Sequence, residues 1–350
     1  MHHRLLLGST ALVSAGILFA NANPAQADIE VVLSGYTEFG AEGATDETLQ
    51  PDSDRGYTFY MDNELFITAT GTSDTGLTYG SNAELELGSG EDVGGSPNAF
   101  MDEINLFFSG GFGRIELGRQ DGAGDVMFVG GEDAQAGTGG IDGDTNNLAS
   151  AINVQNTGDA AKATYFTPRV GGFQLGASYT PDTGDDGGDD TDTGPGGDSV
   201  NVIDVGGNWV GAFGGVDLTL SAVGLFGDAE SDDEDDLLDY GVGGLLGIGG
   251  LAFGASWIQR TDRGEADLIQ LGLEYSFGNA GASLGYMYVD EDQFDDEQHV
   301  YVVSGNVGLA PGLTLKGDVS YNSDDPGAND SAGADQDDTW AGVLAVQLDY

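Results

Sequence analysis

The sequence predicts an all-β fold: a 16-stranded antiparallel transmembrane β-barrel with long acidic loops at one rim and short turns at the other. Three observations predict it. Apolar and polar residues alternate at period two along the chain. Connections alternate between short glycine-rich turns and long acidic stretches. The last segment carries an aromatic residue at each end of its apolar face.

That last segment, TWAGVLAVQLDY (339–350), shows the pattern. Trp340, Gly342, Leu344, Val346, Leu348 and Tyr350 share one face, and Ala341, Val343, Ala345, Gln347 and Asp349 share the other. Period two is the repeat of a strand. Trp and Tyr settle at membrane–water interfaces, so an apolar face bracketed by both suits a strand that crosses a bilayer.

At the other end, residues 1–27 place a positive charge at Arg4, an apolar stretch from Leu5 to Ala20 and the small-residue site Ala25-Gln26-Ala27. This predicts a secretory signal peptide cleaved after Ala27, with residues 28–350 as a single barrel domain. No later apolar run is long enough for a membrane helix. A membrane protein without such helices must close its backbone hydrogen bonds in a barrel.

Strand-like segments fall at 29–41, 57–70, 77–88, 99–109, 114–120, 161–168, 173–180 and 200–210. They continue at 216–226, 238–247, 251–260, 267–277, 281–289, 299–309, 313–322 and 339–350. In the second, Tyr57, Phe59, Met61, Leu65 and Ile67 oppose Thr58, Asp62, Glu64 and Thr68. Short turns such as GGFG, IGG and APG follow the even strands. Acidic stretches such as DTGDDGGDDTDTGPGGD (182–198) and DAESDDEDD (228–236) follow the odd ones. An even strand count brings both chain ends to the short-turn rim, where the last strand can pair with the first and remove the free edges.

Composition narrows the function. Asp plus Glu number 60 against 9 Lys plus Arg, a net charge of −51, which excludes nucleic acid as a partner. No cysteine is present, so disulfides and thiolate metal sites are excluded. Acid with 61 glycines often means disorder, but 16 Phe, 13 Tyr and the strong periodicity oppose that. A soluble barrel would bury Glu38, Glu64, Glu84, Glu86 and Glu103 at prohibitive cost, whereas a wide, wet lumen removes that cost.

Alternation places Glu38, Asp62, Glu64, Glu84, Glu86, Glu103, Glu116 and Asp318 on the inner face as pore-lining residues. Only Arg114, Lys162, Lys316 and Arg260 join them as cations. A lumen lined by carboxylates selects cations. Arg119 falls on the outward parity, where it needs an interface or a bulge to spare it from lipid. No catalysis is expected: His299 and Ser304 lack a third partner, and no nucleophile motif is present. The acidic stretches, among them Asp185, Asp186, Asp189 and Asp190, are candidates for Ca2+. The alternative is a solvated, salt-adapted surface, since no EF-hand spacing occurs and no cofactor is required. Such charge repels itself at low ionic strength, which predicts stability that depends on salt or divalent ions.

The segments LSGYTEFGAEG (33–43), GTSDTGLTYGSNAELE (71–86) and LFFSGGFGRIELGRQDGA (106–123) resemble the first hairpins of the general porins of Gram-negative bacteria, especially the alphaproteobacterial type. Tyr350 is similar to the terminal aromatic of those porins. The resemblance implies a homotrimer in outer-membrane lipid and lipopolysaccharide, passing small hydrophilic solutes by passive diffusion, to which the carboxylate-lined lumen adds the preference for cations. It also implies a third long loop folded into the lumen as a constriction. The longest connection, 121–160, stands at that place and carries Asp121, Asp125, Glu132, Asp133, Asp142, Asp144 and Asp159, with VMFVG (126–130) to pin it to the wall. The family sets its acidic loop against a basic cluster on the early strands; here the early strands are acidic too. Two alternatives stay open. One is a substrate-specific channel for sugars or cationic solutes, with the inward aromatics Tyr36, Tyr60, Phe66, Phe107 and Phe166 as a sugar track. The other is a structural or adhesive surface barrel using the acidic loops.

Overall fold

A computed structural model describes residues 29–45, 57–87, 99–142, 157–183, 199–229, 236–261, 266–291, 296–325 and 339–350. The expected signal peptide, Asp144 and the aspartates 185, 186, 189 and 190 lie outside the described residues.

Alternation is realised as strands in all sixteen segments. They are β1 (Glu30–Ala44), β2 (Thr58–Thr72), β3 (Thr78–Leu87), β4 (Ala99–Gly110), β5 (Gly113–Arg119), β6 (Ala161–Phe166), β7 (Phe173–Asp182) and β8 (Ser199–Phe213). The second half is β9 (Val216–Ala229), β10 (Leu237–Ile248), β11 (Leu251–Arg260), β12 (Ala266–Phe277), β13 (Ala280–Glu291), β14 (Asp296–Ala310), β15 (Leu313–Asp325) and β16 (Thr339–Asp349). Several run past the apolar alternation, because backbone pairing continues beyond the bilayer belt. β1, for example, stays paired with β16 as far as Ala44↔Ala341.

Each strand pairs antiparallel with its chain neighbour, and β1 pairs with β16 to close the barrel. The seam is finished by reciprocal 2.9 Å backbone bonds between Gly35 and Tyr350. Closure leaves no edge strand to template aggregation. Two-residue turns join the tight hairpins. In β8–β9, Gly214 and Gly215 both hold positive φ (58° and 88°), the backbone that a hairpin turn matching strand twist requires.

The outer parity is apolar and exposed: Leu33 is 57% exposed, Phe59 63% and Leu344 59%. A belt of this extent cannot face water and is the surface that lipid covers. Rings pack against one another along it at the long-loop rim, from Tyr286 through Tyr301 and Tyr321 to Trp340. No helix among the described residues is long and apolar enough to cross a membrane.

The inner face is less uniformly polar than alternation predicts. Ile258, Leu268, Met287, Val300 and Val302 point inward and form a buried cluster with Phe128 and Ile141. Both latter residues belong to the long connection after β5, so this part of the inner wall is apolar because it seats that loop.

Candidate functional site

The loop after β5 enters the barrel with a short helix, α1 (Ala123–Met127), and continues through 3-10 turns at Glu132–Ala134 and Gly140–Asp142. Its described residues form no regular strand, so their backbone N–H groups need other acceptors. Inward side chains of the wall supply them. Ala123 N donates to Ser178 Oγ at 2.6 Å, Gly124 N to Asp204 Oδ1 at 2.8 Å and Val129 N to Ser221 Oγ at 3.0 Å. Farther along, Ala136 N donates to Ser283 Oγ and Thr138 N to Asp318 Oδ2, both at 2.8 Å. The loop is thereby bonded to β7, β8, β9, β13 and β15 in turn.

Inward glycines let it lie flat. A Cβ on Gly243 would stand 1.9 Å from the Val129 carbonyl oxygen, one on Gly254 2.1 Å from that of Gly130, and one on Gly272 1.9 Å from that of Gly131. VMFVG thus meets the wall as expected, through Met127 and Phe128 side chains and through backbone on glycine.

The sequence-predicted pore residues stand on the inner parity, but Glu38, Glu64 and Glu86 are buried among neighbouring wall side chains and not open to water as expected, and the structure sorts the set into groups. On β1 to β3, Glu38 is in register with Asp62, and Glu64 with Glu86. Tyr60 Oη donates to Glu38 and Tyr36 Oη to Asp62, each at 2.7 Å. β1 to β4 carry no Lys or Arg. Three of the four inward cations stand beside a carboxylate. Lys316 pairs with Glu38 at 2.6 Å, Arg114 pairs with Glu116, and Arg260 is in register with Asp239. Arg114 also stacks over the Phe107 ring at 4.1 Å. Asp318 holds Thr138 and so serves the loop's seat.

On the loop, Asp125 lies on α1, Glu132 and Asp133 on the first 3-10 turn and Asp142 on the second. Asp133 accepts the Gly130 N–H at 2.6 Å. Asp121 and Asp159 stand at the loop's two roots, and their carboxylate oxygens and those of Glu103 lie within 4.8 Å of one another. Burial raises the Asp159 carboxyl to about 7, reinforced by Asp102 and Glu103. Burial, then Asp125 and Glu103, pushes Asp121 well above the usual carboxylate range.

Alternation alone does not predict Asp102 here. Opposite Glu84 the register shifts between Ala83 and Leu85, and this bulge lets Asp102 hydrogen-bond Asp159. The same region settles Arg119. It stays on the outer parity at the end of β5, and its guanidinium donates to the carbonyls of Asp159 (3.3 Å) and Met101 (3.2 Å). Three of the five inward aromatics lie over wall glycines: Tyr60 over Gly40, Phe107 over Gly80 and Phe166 over Gly176. They cover bare backbone on separate strands and form no continuous track.

A profile of the Gram-negative porin family matches residues 8–343. Among solved structures, an anion-selective porin from Comamonas acidovorans superposes with a TM-score of 0.62 at 17% identity, covering 92% of this chain and 100% of its own. A mutant of the Rh. blastica porin gives 0.60 at 16%, covering 91% and 100%. At such identities these likenesses concern the fold alone. An uncharacterized protein of Rickettsia felis is 28% identical over 222 residues, 53% of this chain. The chain spans about half (49%) of the length of that curated relative.

Proposed function

The chain belongs to the Gram-negative porin family of outer-membrane barrels, which are non-enzymatic channels, and from that premise we propose that it forms a water-filled pore for passive diffusion of small hydrophilic solutes, with a preference for cations. In this reading it is exported by a cleaved signal peptide and works as a homotrimer surrounded by outer-membrane lipid and lipopolysaccharide. The loop after β5 narrows the lumen.

One observation carries the cation preference. Acid stands on both sides of the constriction, because β1 to β4 hold Glu38, Asp62, Glu64, Glu84, Glu86 and Glu103 without a Lys or Arg, while the loop brings Asp125, Glu132 and Asp133. Carboxylates around a narrow aqueous path concentrate cations and repel anions. The Comamonas porin is described as anion-selective, so the sign of selectivity is the discriminating measurement. A planar-bilayer recording under a salt gradient should give a cation-selective reversal potential. An anion-selective potential overturns the charge assignment, and correct folding without conductance overturns the channel.

The same charge bears on stability. With a net charge of −51, the acidic stretches repel one another at low ionic strength. We propose that salt, or Ca2+ on carboxylate and carbonyl oxygens of those stretches, relieves this repulsion. Adding Ca2+ to desalted, chelator-treated protein should raise its unfolding temperature. An unchanged temperature counts against the idea.

A further inference from the structure

Lys162 does more than place a charge in the lumen. It stands on the inner face of β6, 5% exposed. Its ammonium donates to the carbonyl oxygens of Gln120 and Gly158. Gln120 directly precedes the loop, and Gly158 lies at its return. One side chain therefore ties the two roots of the loop together. An ammonium suits this task, since it offers several rotatable donors from a single compact charge.

The groups around it share one sign. Asp121 and Asp159 come from the two roots, and Glu103 from β4, where Asp121 N also donates to its carboxylate at 3.3 Å. Asp102 meets Asp159 from the bulged strand. Asp204 approaches from β8 and Asp125 from α1, while Glu116 on β5 faces Glu103. The cation nearest on the outer side, Arg119, binds a backbone carbonyl of Asp159.

We propose that Lys162 is the positioning residue that clasps the two roots of the constriction loop, and that the surrounding carboxyl groups make the clasp proton-sensitive. When Asp121 and Asp159 are both ionised they repel across the junction that Lys162 holds. Protonation of either removes that repulsion. The direction follows from the raised Asp159 carboxyl. The folded root holds a proton between the ordinary aspartate range and about pH 7 that the released chain gives up. Its stability is therefore complete at the acid end of that window and is lost as pH rises through it.

The clasp matters to permeation only if the barrel is the channel proposed above, so the primary readout is independent of current. Hydrogen-exchange protection of the Gly124 and Val129 amides is measured on the folded full chain from about pH 5 to about pH 9, with intrinsic exchange divided out. Wild-type protection should fall through about pH 7. Lys162→Met should lower it about tenfold, the scale of a lost charged hydrogen bond. It should also move the midpoint upward by about one pH unit, because the cation that favours ionisation is gone. Lys162→Arg should recover most of both effects, and Asp159→Asn should flatten the profile. A uniform loss in Lys162→Met with an unmoved midpoint makes the lysine mere packing and overturns the proposal. So does an Asp159→Asn profile that still falls like wild type, a variant that decides the matter even if Lys162→Met does not fold. Absence of current with this exchange pattern intact would sink the channel and leave the clasp standing.

Discussion

Replacing Glu64, Glu84, Glu86 and Glu103 together by glutamine should lower the cation-to-anion permeability ratio about tenfold, the scale on which a like-charged cleft concentrates counter-ions. These residues belong to three neighbouring strands on which no Lys or Arg offsets them. Glutamine keeps their size and one acceptor oxygen each, so the barrel should still assemble. Like charges in register, such as Glu64 against Glu86, repel one another, and neutralising them should leave stability equal or higher. Lys316→Met is the opposite probe. It removes the cation paired with Glu38 at 2.6 Å and should raise cation preference. Both effects shrink at high salt, where the Debye length drops to about 3 Å at 1 M, so reversal potentials belong at low ionic strength. A quadruple variant as cation-selective as the wild type would move the selectivity filter to the loop's own Asp125, Glu132 and Asp133.

How much of this molecule is legible in its sequence depends on what each residue must satisfy. Lipid on one side and water on the other force a period of two, so all sixteen strands and the direction of Glu38, Glu64 or Lys316 can be read residue by residue. Where the lumen holds protein in place of water, the rule weakens. Leu268, Met287, Val300 and Val302 face inward and are apolar because Phe128 and Ile141 cover them. Their strands are apolar on both parities there, and nothing local says which side lipid takes. The serines of the loop's seat, Ser178, Ser221 and Ser283, are invisible for a related reason. A hydroxyl that accepts a loop N–H is the same residue type as one that meets water. Asp102 is missed through geometry, because a bulge opposite Glu84 breaks the alternation that would assign it. The loop itself was locatable by its length and place. Its path was not, since a five-residue helix and two 3-10 turns carry no period.

Gly272→Val should unseat the constriction loop, because the loop yields before the strand does. A Cβ at this position stands 1.9 Å from the carbonyl oxygen of Gly131 and 3.0 Å from that of Ala134, both backbone atoms of the loop. β12 is paired along its whole length with β11 and β13, whereas the loop is held by scattered bonds from wall side chains. The strand therefore stays and the loop lifts. Overpacking of this kind costs about 1–3 kcal/mol, and valine's preference for strands opposes any direct harm to β12 itself. Lifting the 3-10 turn at Glu132–Ala134 also strains the Ala136 bond to Ser283 two residues on. Conductance should rise and fluctuate more, with only a modest fall in unfolding temperature, because barrel pairing is untouched. Gly247→Val is the matched control: it lies on the inner parity of β10, where a Cβ meets nothing nearer than Asp217 Cβ at 3.6 Å. It should leave conductance as it is. If the two variants behave alike, loop and wall are not in the contact described, and the bare glycines of β10 to β12 must serve the wall alone.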